Sequence, residues 1–248
     1  MTKRVALVTG GMGGIGTDII RDLAKAGRVV ASTYASFEKD NIPAWTAGLK
    51  KEGIDCFLAE CDVSNFDSCA KAIKEIEAKL GPVDILVNCA GITKDASLKK
   101  MEAAAWNAVI SVNLNSIFNM TKHVFSGMVD RGFGRIIHIS SMNGRRGMFG
   151  QANYAATKSG MGGFSMSVAL EGAKKNVTSN TVCPGYTATA MMKTIPEKVM
   201  QGILAQIPAG RMAEPKEIAR VVTFLADDDA GFINGTNIDV NGAQYTSY

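Results

Sequence analysis

Seven short runs of apolar residues recur along the chain, near residues 4–9 (RVALVT), 29–34, 55–60, 83–88 (VDILVN), 135–140 (RIIHIS), 177–183 and 236–240. The clearest are apolar at successive positions and rich in β-branched residues, so both faces of each strand must be covered. Between them lie segments whose apolar residues fall at helical spacing, as in Ile15, Ile19, Ile20 and Leu23, and further helices are expected over 43–52 and 65–80. Strands buried on both faces and separated by helices predict a parallel sheet with helices packed on either side. No glycine- or serine-rich linker and no internal repeat divides residues 1–248, which predicts one doubly wound α/β domain.

Bulk properties narrow the functional classes. A hydrophobic fraction of 46% with 20% charged residues is that of a soluble globular protein. The net charge of +4 is dispersed, with no basic block for nucleic acid. The apolar runs are too short to span a bilayer and the N-terminus has no leader pattern, so a cytoplasmic enzyme is expected. The five cysteines (Cys56, Cys61, Cys69, Cys89, Cys183) show no CxxC spacing and read as buried thiols; no metal site is expected. His123 and His138 stand alone in apolar stretches and read as structural.

The first strand leads into Thr9-Gly10-Gly11-Met12-Gly13-Gly14-Ile15-Gly16. A glycine turn before a helix lets backbone amides approach a pyrophosphate, a Rossmann-type arrangement, and makes Gly10, Gly13, Gly14, Ile15 and Gly16 dinucleotide-binding candidates. An acid at the end of the second strand would hold ribose hydroxyls and repel a 2′-phosphate. Here the strand ends in Ser32, Thr33 and Tyr34, with no carboxylate before Glu38, which favours NADPH over NADH. Lys39 reads as a solvated loop cation.

Further along, Ser141 precedes Tyr154 by thirteen residues, and Lys158 follows the tyrosine by four. Positions i and i+4 share a helix face. A free phenol near pKa 10 is a reluctant acid at neutral pH, and a neighbouring ammonium is expected to lower that value and ease proton exchange. Ser141, at the end of its strand, is placed to hydrogen-bond a carbonyl oxygen, a contribution on the order of 3 kcal/mol where an oxyanion develops.

The TGxxxGxG turn combined with this serine, tyrosine and lysine resembles the classical short-chain dehydrogenase/reductase family, over nearly the whole chain from Thr9 to Gly242. That resemblance implies that Tyr154 donates the proton, Lys158 binds the nicotinamide ribose and tunes the tyrosine, Ser141 orients the ketone, and Asn113 completes a proton relay. It further implies cofactor contacts from Asp62 and Val63, from Asn88, Ala90 and Gly91, and from Pro184, Gly185, Thr187 (through its backbone) and Thr189. Cys89 replaces the second asparagine of the family's Asn-Asn-Ala-Gly.

Gly-Gly-Met-Gly-Gly-Ile-Gly, Phe149-Gly150-Gln151-Ala152-Asn153-Tyr154 and Pro184-Gly185-Tyr186 resemble a branch that reduces acetoacetyl-CoA in polyhydroxyalkanoate synthesis. The branch implies substrate contacts from Ser141, Phe149, Gln151, Tyr154, Gly185 and Tyr186, with Met148 where relatives carry glutamine. Alternatives are reduction of 3-oxoacyl groups on acyl carrier protein, another carbonyl or alcohol couple, or a silent dinucleotide sensor. Residues 187–211, with Met191, Met192, Ile195, Met200, Ile203 and Ile207, read either as a core helix or as a lid over the substrate. Arg145 and Arg146 read as surface charges. Small residues crowd the helix after Lys158 (Gly160, Gly162, Gly163, Ser165, Gly172), and family usage of that helix implies a homotetramer, with packing on the protein's own sheet as the other reading.

Overall fold

The computed structural model describes residues 3–189, 192 and 196–246. The elements run β1 (Val5–Val8), α1 (Gly14–Lys25), β2 (Val29–Tyr34), α2 (Ile42–Lys51), β3 (Cys56–Glu60), α3 (Phe66–Leu80), β4 (Val83–Asn88), α4 (Ala103–Val109) and α5 (Ser116–Arg131). They continue with β5 (Gly134–Ile139), α6 (Asn143–Arg146), α7 (Ala152–Gly172), β6 (Val177–Pro184), α8 (Glu197–Ala205), α9 (Pro215–Leu225) and β7 (Asn237–Val240). The sheet has seven strands in the order β3-β2-β1-β4-β5-β6-β7, and every pairing is parallel. This is the doubly wound Rossmann-type fold read from the strand pattern.

Alternate residues of each strand explain the continuous apolar runs. Ala6, Val8, Ile85, Val87, Ile137 and Ile139 pack on Ile19, Ile20 and Leu23 of α1 and Ile218, Val222 and Leu225 of α9. Leu7, Leu86 and Ile136 face the other way, onto Ile73 and Ile76 of α3 and Met120, Val124 and Met128 of α5. Strand order reverses at β1, between β2 and β4, so a crevice opens at the carboxyl ends of β1 and β4.

Two buried polar features hold the sheet. Arg135 is fully enclosed at the amino end of β5, donating to the carbonyls of Asp227, Asp228, Gly134 and Asn176, each at 2.9 Å. In mid-sheet, Asn88 Nδ2 donates to His138 Nδ1 (3.1 Å), which leaves His138 Nε2–H to donate to Ser179 Oγ (3.2 Å). Ser179 in turn lies 2.9 Å from Ser165 Oγ on α7. Burial, with a smaller push from Lys158, drives His138 down from 6.5 to about 3.

A histidine kept neutral by the fold weakens that fold once the unfolded chain binds a proton that the native state refuses. The contribution of His138 is therefore complete above pH 6.5 and declines as pH falls from there toward 3. Urea unfolding between pH 4.5 and 8 should show this acid-side loss, and His138→Asn, although less stable at pH 8, should show a shallower decline.

Candidate active site

The glycine turn is built by close packing. Gly10 has φ +63°, and a Cβ there would lie 3.0 Å from the Ala90 backbone. A Cβ on Gly16 would sit 2.5 Å from Gly10 O, and one on Gly11 would strike Ile20 and Ser32 at 2.4 Å. The turn thus delivers Gly13 and Gly14, both exposed, to the start of α1. That helix has no side-chain cap and no acidic residue in its first turn. Uncapped amides at a helix N-terminus match an anionic pyrophosphate. Thr189 closes the far side, its methyl 2.9 Å from where a Gly14 Cβ would stand.

Ser32 does not take the role expected of it. It is fully buried, its Oγ accepts from Gly11 N (3.1 Å), and its proton goes to Thr33 O (2.9 Å). It braces the glycine turn from beneath and presents nothing to a ligand. Thr33 is also buried, leaving Tyr34, half-buried, at the strand end. Glu38 folds back there, its Oε2 accepting from Ala35 N at 2.8 Å.

Around the crevice, Thr9 Oγ1 accepts from Cys89 N (3.0 Å) and Ala90 N (3.1 Å), tying the end of β1 to the turn after β4. Asp62 is exposed beyond β3 with Oδ1 bonded to Ser64, while Asn65, not Asp62, caps α3. The Val63 carbonyl is taken by Asn119 Nδ2 at 3.0 Å. Gly185 packs against Asn241, where a Cβ would come within 2.8 Å of the backbone, and Thr187 donates to Gly185 O. Pro184 O accepts from Met142 N, linking the ends of β5 and β6.

Ser141, Tyr154 and Lys158 converge. Tyr154 lies in the first turn of α7, with its amide donating to Asn153 Oδ1 at 2.7 Å. Lys158 is buried; its Nζ sits 5.5 Å from the centre of the Tyr154 ring and donates to Ile139 O at 2.6 Å. Asn143 N donates to Ser141 Oγ (3.1 Å), which frees the serine proton for the Tyr154 phenol, to which Ser141 is hydrogen-bonded. A Cβ on Gly91 would fall 3.4 Å from Asn113 Oδ1 and 3.6 Å from Lys158 Nζ, so Asn113 stands in the same cluster. Its side chain is locked to both backbone groups of Ile92 (2.8 and 2.9 Å), within a π-helical turn over Ile110–Asn115.

The electrostatics differ from the expectation of a lowered phenol. Burial drives Tyr154 above its ordinary value of 10, the Ser141 hydrogen bond opposes this, and Asp95 and Cys89 push it further up. Burial also brings Lys158 down to about 8, with Cys89 and Cys183 opposing. The i, i+4 spacing foretold the proximity, whereas enclosure of both groups governs the charge: each is held toward its neutral form.

At the rim, Phe149 is 90% exposed and Tyr186 half-buried. Gln151, expected to meet substrate, is bonded at both ends of its amide, to Asp95 (2.8 Å) and Asn143 (3.0 Å). Arg145 is not a free surface charge, since it lies 3.9 Å from Asp239 and over the Tyr245 ring. Gly144 carries weight that spacing alone did not reveal: a Cβ there would come within 2.7 Å of the Lys158 backbone.

Comparison with known proteins agrees with this geometry. A family model described as short chain dehydrogenase matches residues 4–200. The chain belongs to the short-chain dehydrogenase family. This short-chain dehydrogenase is thus an oxidoreductase acting between a hydroxyl and a carbonyl with a nicotinamide cofactor, and the glycine cradle at α1 fits that cofactor's pyrophosphate. It is 52% identical over 242 residues to an acetoacetyl-CoA reductase of Allochromatium vinosum, covering 98% of each chain. An acetoacetyl-CoA reductase of Cupriavidus necator is 47% identical over 243 residues, again 98% of each. A 3-oxoacyl-[acyl-carrier-protein] reductase of Haemophilus influenzae is 41% identical across the full length of both.

Because Gly144 lets α6 touch α7 at Lys158, Gly144→Ala should lower turnover by about ten-fold or more and cost about 1–3 kcal/mol in unfolding experiments. Gly48→Ala, in α2 where nothing lies within 4 Å, should leave turnover alone and raise the melting temperature.

Proposed function

We propose that this short-chain dehydrogenase reduces a 3-oxoacyl thioester, acetoacetyl-CoA, to (R)-3-hydroxybutyryl-CoA with NADPH. The observation carrying this reading is the convergence of Ser141, Tyr154 and Lys158 at the carboxyl end of β5, beside the glycine cradle. The substrate is supported by the named relatives at 47–52% identity over almost the whole chain.

When bound, the nicotinamide dinucleotide supplies a hydride to the carbonyl carbon. Ser141 orients the carbonyl oxygen and Tyr154, a protonated phenol, gives it a proton. Lys158 holds the nicotinamide ribose and supplies positive charge beside the phenol. Asn113 joins the relay through the backbone of its π-helical turn, its side chain being committed to Ile92. Gly10, Gly13, Gly14, Ile15 and Gly16 cradle the pyrophosphate; Asp62 and Val63 border the adenine; Asn88, Ala90 and Gly91 line the crevice; Pro184, Gly185, Thr187 and Thr189 flank the nicotinamide. Phe149 and Tyr186 meet the acyl and pantetheine portions, with Gln151 bracing the rim between Asp95 and Asn143.

The strand end without an acid and the nearby exposed Lys39 support NADPH. One observation favours NADH as a second reading: the Glu38 carboxylate, anchored on Ala35 N, stands where a 2′-phosphate would approach. Residues 187–211 act as a lid in this account, supported by α8 having no buried residue; Met191 and Ile195 lie outside the described residues. A homotetramer is supported by Phe118, Met166 and Leu170 standing 50%, 49% and 83% exposed on α5 and α7. Gly160, Gly162 and Gly172 instead pack on the chain's own Leu114, Asn237 and Val177. No helix among the described residues is long and apolar enough to cross a membrane, and we place the enzyme in the cytoplasm.

With purified enzyme, acetoacetyl-CoA should oxidise NADPH, and Tyr154→Phe should lose about 10²–10⁴-fold in turnover while still binding cofactor. Oxidation only with acyl-carrier-protein thioesters would overturn the substrate. Efficiency with NADH above that with NADPH, reversed by Glu38→Gln, would establish the second reading. Reduction should hold level below neutral pH and fall as Lys158 loses its proton near pH 8; a profile level to pH 10 would contradict the role given to that ammonium.

A further inference from the structure

The adenine end of the crevice contains a pair of sulfurs that the reaction does not use. Cys61 follows β3 and Cys69 sits in the first turns of α3, and their Sγ atoms are 3.8 Å apart, both side chains buried. The peptide between them forms a tight loop. Asp62 N donates to Ser68 Oγ (3.0 Å), Ser68 N donates to Asn65 Oδ1 (2.8 Å), and Cys69 Sγ lies 3.5 Å from Val63 O. Asp62 and Val63 are thus held between two thiols that already touch.

We propose that Cys61 and Cys69 form a reversible disulfide that acts as a peroxide-sensitive control on dinucleotide binding; the binding consequence rests on the adenine position assigned above. The hydrogen bond from Cys69 keeps the Cys61 thiol below its ordinary value of 9 and leaves Cys69 raised, so the pair divides into a nucleophile and a resolving thiol. Burial holds the other three thiols up, Cys56 at about 12 and Cys89 and Cys183 at about 11. The Cys61 thiolate attacks one oxygen of hydrogen peroxide, breaking the O–O bond to give a sulfenic acid and hydroxide. Cys69 then attacks that sulfur, its thiol proton and the sulfenic hydroxyl leaving as water. Overall, two thiols and one peroxide become one disulfide and two waters.

Closing the contact to a bonded S–S of about 2.05 Å draws the end of β3 and the first turns of α3 together by nearly 2 Å. It also removes the Cys69 S–H from Val63 O. The Asp62-Val63 backbone between the sulfurs cannot keep its path, and the surface it offers to an adenine ring changes with it.

Full-length reduced protein should be treated with hydrogen peroxide and then divided for thiol counting, peptide mapping and NADPH and NADH titration. Two of the five thiols should disappear, mapping should recover a Cys61–Cys69 crosslink, and dinucleotide affinity should fall about ten-fold or more and return with dithiothreitol. Cys69→Ser should bind dinucleotide normally and ignore peroxide, and Cys61→Ser supplies the same comparison should that variant fail to fold. No crosslink between these two residues, or a crosslink with unchanged affinity, would overturn the proposal. Untreated protein that binds neither dinucleotide would instead overturn the cofactor assignment, a failure visible before any oxidant is added.

Discussion

The site depends on one buried ammonium. Lys158 enters the interior only because Ile139 O, at the open end of β5, accepts its proton at 2.6 Å, and because Gly144 lets α6 lie against its backbone. Ser140 Oγ adds a 2.7 Å bond to the Lys158 carbonyl, so strand end and helix are stitched at this residue. Burying a charge is costly unless it is hydrogen-bonded. The parallel sheet supplies the remedy, since strand ends at the switch point leave carbonyls without a ladder partner. Fold and site are therefore the same fact seen from two sides.

Enclosure sets the proton inventory. Both members of the Tyr154–Lys158 pair are pressed toward neutrality, and His138, one layer behind Ile139, is pressed furthest. A neutral imidazole in mid-sheet spares Lys158 a second buried cation, and its tautomer is fixed by Asn88 on one side and Ser179 on the other. The tyrosine then stands as an acid already holding the proton that a ketone needs, with Ser141 polarising it.

Much of this was legible in the residues. Continuous β-branched runs gave the parallel sheet because burial on both faces removes the alternation an exposed strand would show; six of the seven strands begin and end within about one residue of the pattern. Tyr154, Lys158 and Ser141 were readable from spacing because one helix and one strand end place them. What stayed hidden depends on contacts across the fold. Ser32 looked like a ligand for phosphate because its strand end is hydroxyl-rich; only the packing beneath Gly11 shows it facing inward. Gln151 and Arg145 likewise have partners, Asp95 and Asp239, that lie distant in sequence. The 103–131 segment, with its π-helical turn, has no distinctive periodicity, since a π-turn shifts the apolar stripe by a residue.

The central claim is that burial, not the neighbouring cation, governs the phenol in the free enzyme. Ring-¹³C-labelled tyrosine, with Tyr154 assigned by comparison with Tyr154→Phe, can be followed by NMR as pH rises. The account predicts that this resonance stays in its protonated position past pH 10, later than a free phenol. Titration of Tyr154 at or below neutral pH would contradict it.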